Sequence, residues 1–137
     1  MNFAGLNPLA IVLAALAAFF WGALYYSFLS KPWMRAARLD RAAIEARPIW
    51  PMLVVSFLAE LVMAWVLAGV IGHLGEGQVS LRNGLISGLF AWAGFMATTL
   101  AVNHRYEGFG WDLTAIDAGH WLGVALLMGA VIGELGV

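Results

Sequence analysis

The chain has 137 residues, 63% of them hydrophobic and 11% charged, with a net charge of −1 and no cysteine. That balance excludes a basic nucleic-acid-binding surface, and the lack of thiols excludes disulfides, thiolate metal sites, thiol nucleophiles and c-type haem attachment. Four apolar stretches, Pro8–Leu29, Pro51–Gly72, Gly84–Val102 and Ile116–Val137, each approach the ~20 residues that carry a helix across ~30 Å of hydrocarbon. They predict an all-α, integral membrane four-helix transmembrane bundle, with residues 1–137 as a single domain.

The first span lacks the basic n-region of a signal peptide and is longer than a signal h-region, so it reads as a retained helix. Ala14, Ala18 and Gly22 recur every four residues, a small-residue stripe that lets helix backbones approach closely in lipid. Trp21, Tyr25 and Tyr26 near its end read as anchors at the headgroup level.

Lys31, Arg35, Arg38, Arg41 and Arg47 all lie between the first and second spans, whereas Arg82 is alone in the second loop and Arg105 in the third. The positive-inside rule then places the first and third loops inside and both termini outside, as in a bacterial inner (cytoplasmic) membrane. Within the first loop, Arg35, Arg38, Arg41 and Glu45 share one side of a helical wheel. Trp33, Ala36, Ala37, Ala43 and Ile44 share the other. This predicts one short amphipathic helix on the inner membrane surface, meeting acidic lipid or docking a partner. Pro48 and Pro51 end it before the second span.

The second span carries Glu60, ~13 Å in from Pro51 at helical rise. A charge at that depth costs roughly 2.5–3.5 kcal/mol on insertion scales. Glu60 is therefore a neutral hydrogen-bonding group, a proton or cation carrier, or the partner of another protein's basic residue. Ser56 and Ala64 share its face, while His73 and Glu76 in the second loop and Glu134 near the C-terminus read as solvated.

The third span offers Gly84, Gly88 and Gly94 and ends in Thr98, Thr99, Asn103 and His104. The fourth opens with Asp117 and His120 on adjoining turns of one face, Asp117 suiting the first turn, where negative charge complements the helix dipole. Two GxxxG pairs follow, Gly119/Gly123 and Gly129/Gly133. At ~100° per residue, Gly119, Gly123 and Gly133 form a stripe with Gly129 at its edge, directed away from Asp117. The stripe packs on another span of the same chain, the favoured contact, or faces a second copy.

A hairpin gathers Asn103, His104, Asp117 and His120 near the inner ends of the last two spans. The group reads as an interfacial polar cluster that caps helices, or as a proton uptake point leading to Glu60. A metal site would take Asp117 and His120 with His104 or Glu60, but no complete ligand set stands at a recognised spacing. Haem ligation would need His104 and His120 to face one pocket. No nucleophilic triad, phosphate loop or pair of catalytic carboxylates is found.

Two segments carry a family resemblance. One is Trp21-Gly22-Ala23-Leu24-Tyr25-Tyr26-Ser27, followed by Lys31-Pro32-Trp33-Met34; the other is Ile116-Asp117-Ala118-Gly119-His120. With the four-span layout, the chain resembles the small bacterial membrane proteins grouped as domain of unknown function 1761, with Tyr25-Tyr26 where that family has a Trp-Tyr pair. The resemblance implies a topology and no activity or catalytic residue.

Three function classes fit. The favoured one is a membrane protein acting by interaction, as an accessory or assembly subunit of a membrane complex. The second is an oligomeric proton- or cation-linked transporter using Glu60 and the Asp117/His120 cluster. The third is a membrane redox or metal protein. The favoured class expects membrane lipid as surroundings, a homo-oligomer or larger membrane complex as partner, no nucleic acid and no cofactor.

Overall fold

The computed structural model describes residues 6–75 and 77–137; Glu76, expected to be solvated, lies outside the described residues. Among the described residues there are seven α-helices: α1 (Pro8–Phe28), α2 (Ser30–Ala36), α3 (Arg41–Glu45), α4 (Trp50–Gly72), α5 (Leu81–Ala91), α6 (Thr98–Tyr106) and α7 (Trp111–Leu135). A π-helical turn, Trp92–Ala97, joins α5 to α6 without a break, so Leu81–Tyr106 is one span. α1, α4, this composite helix and α7 are each long and apolar enough to cross a membrane. The fold is the all-α four-helix bundle the hydropathy predicts.

The ends of these helices follow local chemistry. Asn7 caps α1: its side-chain oxygen accepts from the backbone N–H of Leu9 and Ala10 at 3.1 and 3.2 Å, and Pro8 fills the first position, where no N–H is needed. The Asn7 amide also donates to Leu135 O at 3.2 Å, tying the start of α1 to the end of α7. Ser80 caps α5 by accepting from Asn83 N. α7 begins at Trp111 rather than Ile116, because Leu113 and Thr114 continue the helix and bury against the bundle. Asp112 therefore holds the first turn, and Asp117 sits well inside the helix.

The loop between α1 and α4 holds two short helices instead of the single amphipathic one. The chain breaks at Arg38, whose φ of 55° is left-handed and cannot continue a right-handed helix. Arg38 reaches away from the loop and donates to Gly108 O at 2.8 Å, with its guanidinium 5.6 Å from the Phe109 ring centroid. The first and third loops are thereby joined at one end of the bundle. Arg41 remains exposed in a 2.8 Å ion pair with Glu45, whose carboxylate raises the guanidinium above its usual value.

α7 is the central helix, lying along α1 on one side and α5 on the other, while α4 packs chiefly on α1. The apolar core joins Ile11, Ala14, Ala15 and Ala18 of α1 to Ala64, Leu67, Ala68 and Ile71 of α4 and Val124, Met128 and Ile132 of α7. The glycines of α7 are shared between two neighbours and do not form one stripe. Gly129 and Gly133 lie on the backbone of Gly84 and Ser80, and Gly88 lies on the carbonyl of Ala125. Gly119 and Gly123 instead receive the Tyr25 hydroxyl and the Trp21 indole of α1. Each of these contacts is made within the chain. Helical geometry explains the split, since the pairs near each end drift around the helix and meet different partners.

These glycines should rank by what occupies them. Gly129→Ala drives a methyl into backbone that cannot turn aside, and overpacking of this kind costs about 1–3 kcal/mol. Gly123→Ala meets the Trp21 indole, a side chain rather than backbone, and should cost less. Gly94, with nothing within 4 Å of a built Cβ, should gain about 0.5–1 kcal/mol as alanine through helix propensity. Thermal unfolding in detergent should order the melting temperatures Gly94→Ala, Gly123→Ala, Gly129→Ala from highest to lowest; equal values for all three would contradict the assigned contacts.

Candidate functional site

The last turns of α1 present Trp21, Tyr25 and Tyr26 to the first half of α7. Trp21 Nε1 donates to His120 O at 3.1 Å and Tyr25 OH to Ile116 O at 2.9 Å. From the π-helical turn, Trp92 Nε1 donates to Ala118 O at 2.8 Å. Carbonyls inside a helix already accept from the N–H four residues on, so these donors use the second lone pair. The aromatics read from sequence as headgroup anchors are thus turned inward. A buried indole N–H or phenol O–H needs an acceptor, and in an apolar bundle the carbonyls of α7 supply it.

Asp117 is the hub of a second set of contacts. Its Oδ1 accepts from Tyr26 OH at 2.7 Å and from Trp33 Nε1 at 3.1 Å, and the Tyr26 and Trp33 rings meet edge to face at 5.5 Å. His104 Nε2 stands 3.7 Å from Oδ2, an electrostatic contact too long for a hydrogen bond. His104 Nδ1 lies 3.1 Å from Thr114 Oγ1, which also accepts from Arg105 Nη2 at 3.0 Å. With its proton on Nε2, His104 directs a donor at the carboxylate and accepts at Nδ1 from the threonine hydroxyl. Arg105 further donates to Gly110 O at 2.7 Å and covers the Trp111 ring at 4.0 Å. One carboxylate thereby connects α1, α2, α6 and α7.

The predicted four-residue cluster comes apart into distinct environments. Asn103 is exposed and takes no part, because it and His104 are neighbours in a helix and face different directions. His120 is buried beneath Tyr26 and makes no hydrogen bond to Asp117. Its ring centroid is 4.8 Å from those of Tyr26 and Trp121 and 5.8 Å from that of Tyr25. A Cβ on Gly22 would stand 2.9 Å from His120 Nε2, so Gly22 of the small-residue stripe makes room for the imidazole. His104 and His120 thus have separate surroundings, and among the described residues no three His, Cys, Asp or Glu side chains gather as a metal site.

Glu60 is buried in α4, with Oε2 lacking a hydrogen-bond partner among the described residues. Ser56, expected on its face, is exposed, while Ala64 is buried. Glu134 is exposed at the end of α7, and His73 at the end of α4 places Nδ1 2.6 Å from Gly69 O. Of the expected surface residues Trp33, Arg35, Arg38 and Arg41, Trp33 turns inward to Asp117 and Arg38 crosses to the third loop. Arg35 and Arg41 remain exposed. Sequence reasoning missed Trp92 and Thr114. The readable signal for Trp92 was an indole in the middle of a span, which must find an acceptor inside the protein.

The Asp117 contacts give a graded expectation. Tyr26→Phe removes one hydrogen bond and should cost about 1 kcal/mol. Asp117→Leu strands the Tyr26 and Trp33 donors and the His104 imidazole together and should cost clearly more. Asp117→Asn keeps a side-chain oxygen for both donors and should fall between wild type and leucine. Detergent melting curves check the order, and a leucine variant as stable as wild type would show that the network does not hold the bundle.

The family model described as Protein of unknown function (DUF1761) matches residues 9–133. No curated protein and no solved structure matches the chain. The match runs from the first turn of α1 to the last turn of α7 and takes in both the aromatic segment of α1 and the Asp117–His120 segment. The chain therefore belongs to the DUF1761 family of proteins of unknown function.

Proposed function

We propose that this membrane protein acts by interaction, as an accessory or assembly subunit that receives an apolar transmembrane helix of another protein against its third span. The observation that carries the reading is the open face around the π-helical turn. Only 6% of the central stretch of the third span is buried, against 28%, 33% and 33% for the other spans. Gly94 lies within that turn with open space before it, flanked by exposed Phe90 and Phe95. The Thr98 and Thr99 hydroxyls are bonded to Gly94 O and Phe95 O, leaving the surface of the notch apolar. Glycines elsewhere in the bundle accommodate a neighbouring helix or ring, and π-helical turns often mark functional positions. The reading calls for membrane lipid around the bundle and for no cofactor.

The same reading sets the protein in a bacterial inner membrane with both termini outside. Support comes from the concentration of basic residues in the first loop and from Arg38 and Arg105, which both bond to carbonyls of the third loop. A reporter active only outside the membrane should be active when fused after Val137 and silent when fused at Arg41. The reverse pattern would sink the orientation.

Gly94→Leu tests the docking face. The variant should fold, since the space before Gly94 is open and leucine favours helix. In mild detergent, wild type should elute with a stoichiometric membrane partner that Gly94→Leu loses and that a control on the α4 lipid face, Val62→Leu, retains. A partner retained by Gly94→Leu, or a wild type that elutes alone as a monomer or homo-oligomer, refutes the proposal.

A further inference from the structure

At the end of the bundle that carries the second loop, α4 and α5 are held by different neighbours. Gly84 and Gly88 fix α5 against the backbone of α7, while α4 packs chiefly on α1. Asn83 and Ser87, each one residue before those glycines, turn to another side of α5. There, with Ile86, they line an open groove of about 380 Å³ together with Leu74 and Gln78 of the second loop. Exposed Phe90 continues the same face of α5 into the span.

The polar atoms of the groove are only partly used. Asn83 Nδ2 donates to Gln78 O at 2.7 Å and to Gln78 Oε1 at 3.3 Å. The Gln78 amide N–H groups therefore point to no protein acceptor among the described residues. Ser87 is half-buried within an apolar span, ~6 Å deeper than Asn83 at helical rise. The Thr98 and Thr99 hydroxyls bond back to carbonyls of their own helix, whereas that of Ser87 bonds to none of the described residues. Arg82, one turn before Ile86 on α5, is exposed and has no ion pair among the described residues.

A cation and an amide donor at the end of the span, a hydroxyl one turn further in and apolar side chains beyond follow the order of phosphate, ester and acyl chain in a phospholipid. We propose that this groove binds one anionic phospholipid, with its phosphate at Arg82 and the Gln78 amide, an ester carbonyl at the Ser87 hydroxyl and an acyl chain along Ile86 and Phe90. The phosphate supplies the anion that Arg82 lacks. At the depth of Ser87 the hydrocarbon offers a hydroxyl no acceptor, and the ester carbonyl is the acceptor a lipid brings there. The groove lies about two turns from Gly94 and needs no protein partner, so it does not rest on the docking face.

Phosphatidylglycerol tests the site, with inorganic phosphate and diacylglycerol as the two halves of its chemistry. With the full chain delipidated in mild detergent, added phosphatidylglycerol should raise the melting temperature and leave a single bound lipid in native mass spectra. Phosphate alone and diacylglycerol alone should do neither. Apparent affinity for phosphatidylglycerol should fall about fivefold in Arg82→Gln, the loss of one basic contact at a membrane surface. Binding should vanish in Ser87→Phe, whose ring fills the groove. Equal stabilisation by phosphate would make this a free-anion site, and equal stabilisation by diacylglycerol an apolar surface; either overturns the proposal. Unchanged affinity in Arg82→Gln, or a lipid retained by Ser87→Phe, would overturn it too. If Ser87→Phe does not fold, a phosphatidylglycerol with a photoreactive diazirine beside its ester replaces it. Adducts on wild type must map to Leu74, Ile86 or Ser87, and adducts spread evenly over the four spans, or absent from these residues, refute the groove.

Discussion

Water drives no helices together inside a bilayer, so this bundle depends on how closely its backbones meet. The decisive contact is between α5 and α7, where Gly84, Gly88, Gly129 and Gly133 remove every side chain that would hold the helices apart. Close approach multiplies weak dispersion contacts, each about 0.1–0.2 kcal/mol, along the whole crossing. Once α7 is held there, its other side is presented to α1. The Ala14–Ala18–Gly22 stripe then brings that helix in, and α4 closes on α1 through Ala64, Leu67 and Ala68.

Side-chain hydrogen bonding between spans is concentrated at one end. In the first half of α7, carbonyls at Ile116, Ala118 and His120 accept from Tyr25, Trp92 and Trp21, and Asp117 accepts from Tyr26 and Trp33. Each donor is an aromatic, which brings apolar surface and one hydrogen bond together and so suits a helix interface in lipid. The loops add Arg38 and Arg105, which bond to the third-loop carbonyls of Gly108 and Gly110. This end is braced by specific hydrogen bonds, the opposite end by glycine contact and the Asn7–Leu135 tie. Two buried groups stand apart from the bracing, Glu60 and His120, and the composite third span stands apart from the packing. Those departures from a satisfied, closed bundle are where functional readings belong.

Much of the fold was legible in the sequence. Length and hydropathy determined four spans, because crossing a bilayer requires a continuous apolar helix whose backbone satisfies itself. The small-residue spacing marked helix contacts, and Glu60, Asp117 and His120 stood out because ionisable groups are costly in hydrocarbon. Four alternating spans necessarily bring the first and third loops to one end, whichever side of the membrane that end faces. The partners were not legible. Periodicity reports which residues share a face of one helix and is silent on how that face is rotated against its neighbours. Only tertiary structure divided the α7 glycines between α1 and α5, turned Tyr26 and Trp33 onto Asp117, left Asn103 outside and separated His120 from Asp117. It also extended α7 back to Trp111, because burial of Leu113 and Thr114 outweighs the polar composition that hid this turn from a hydropathy reading.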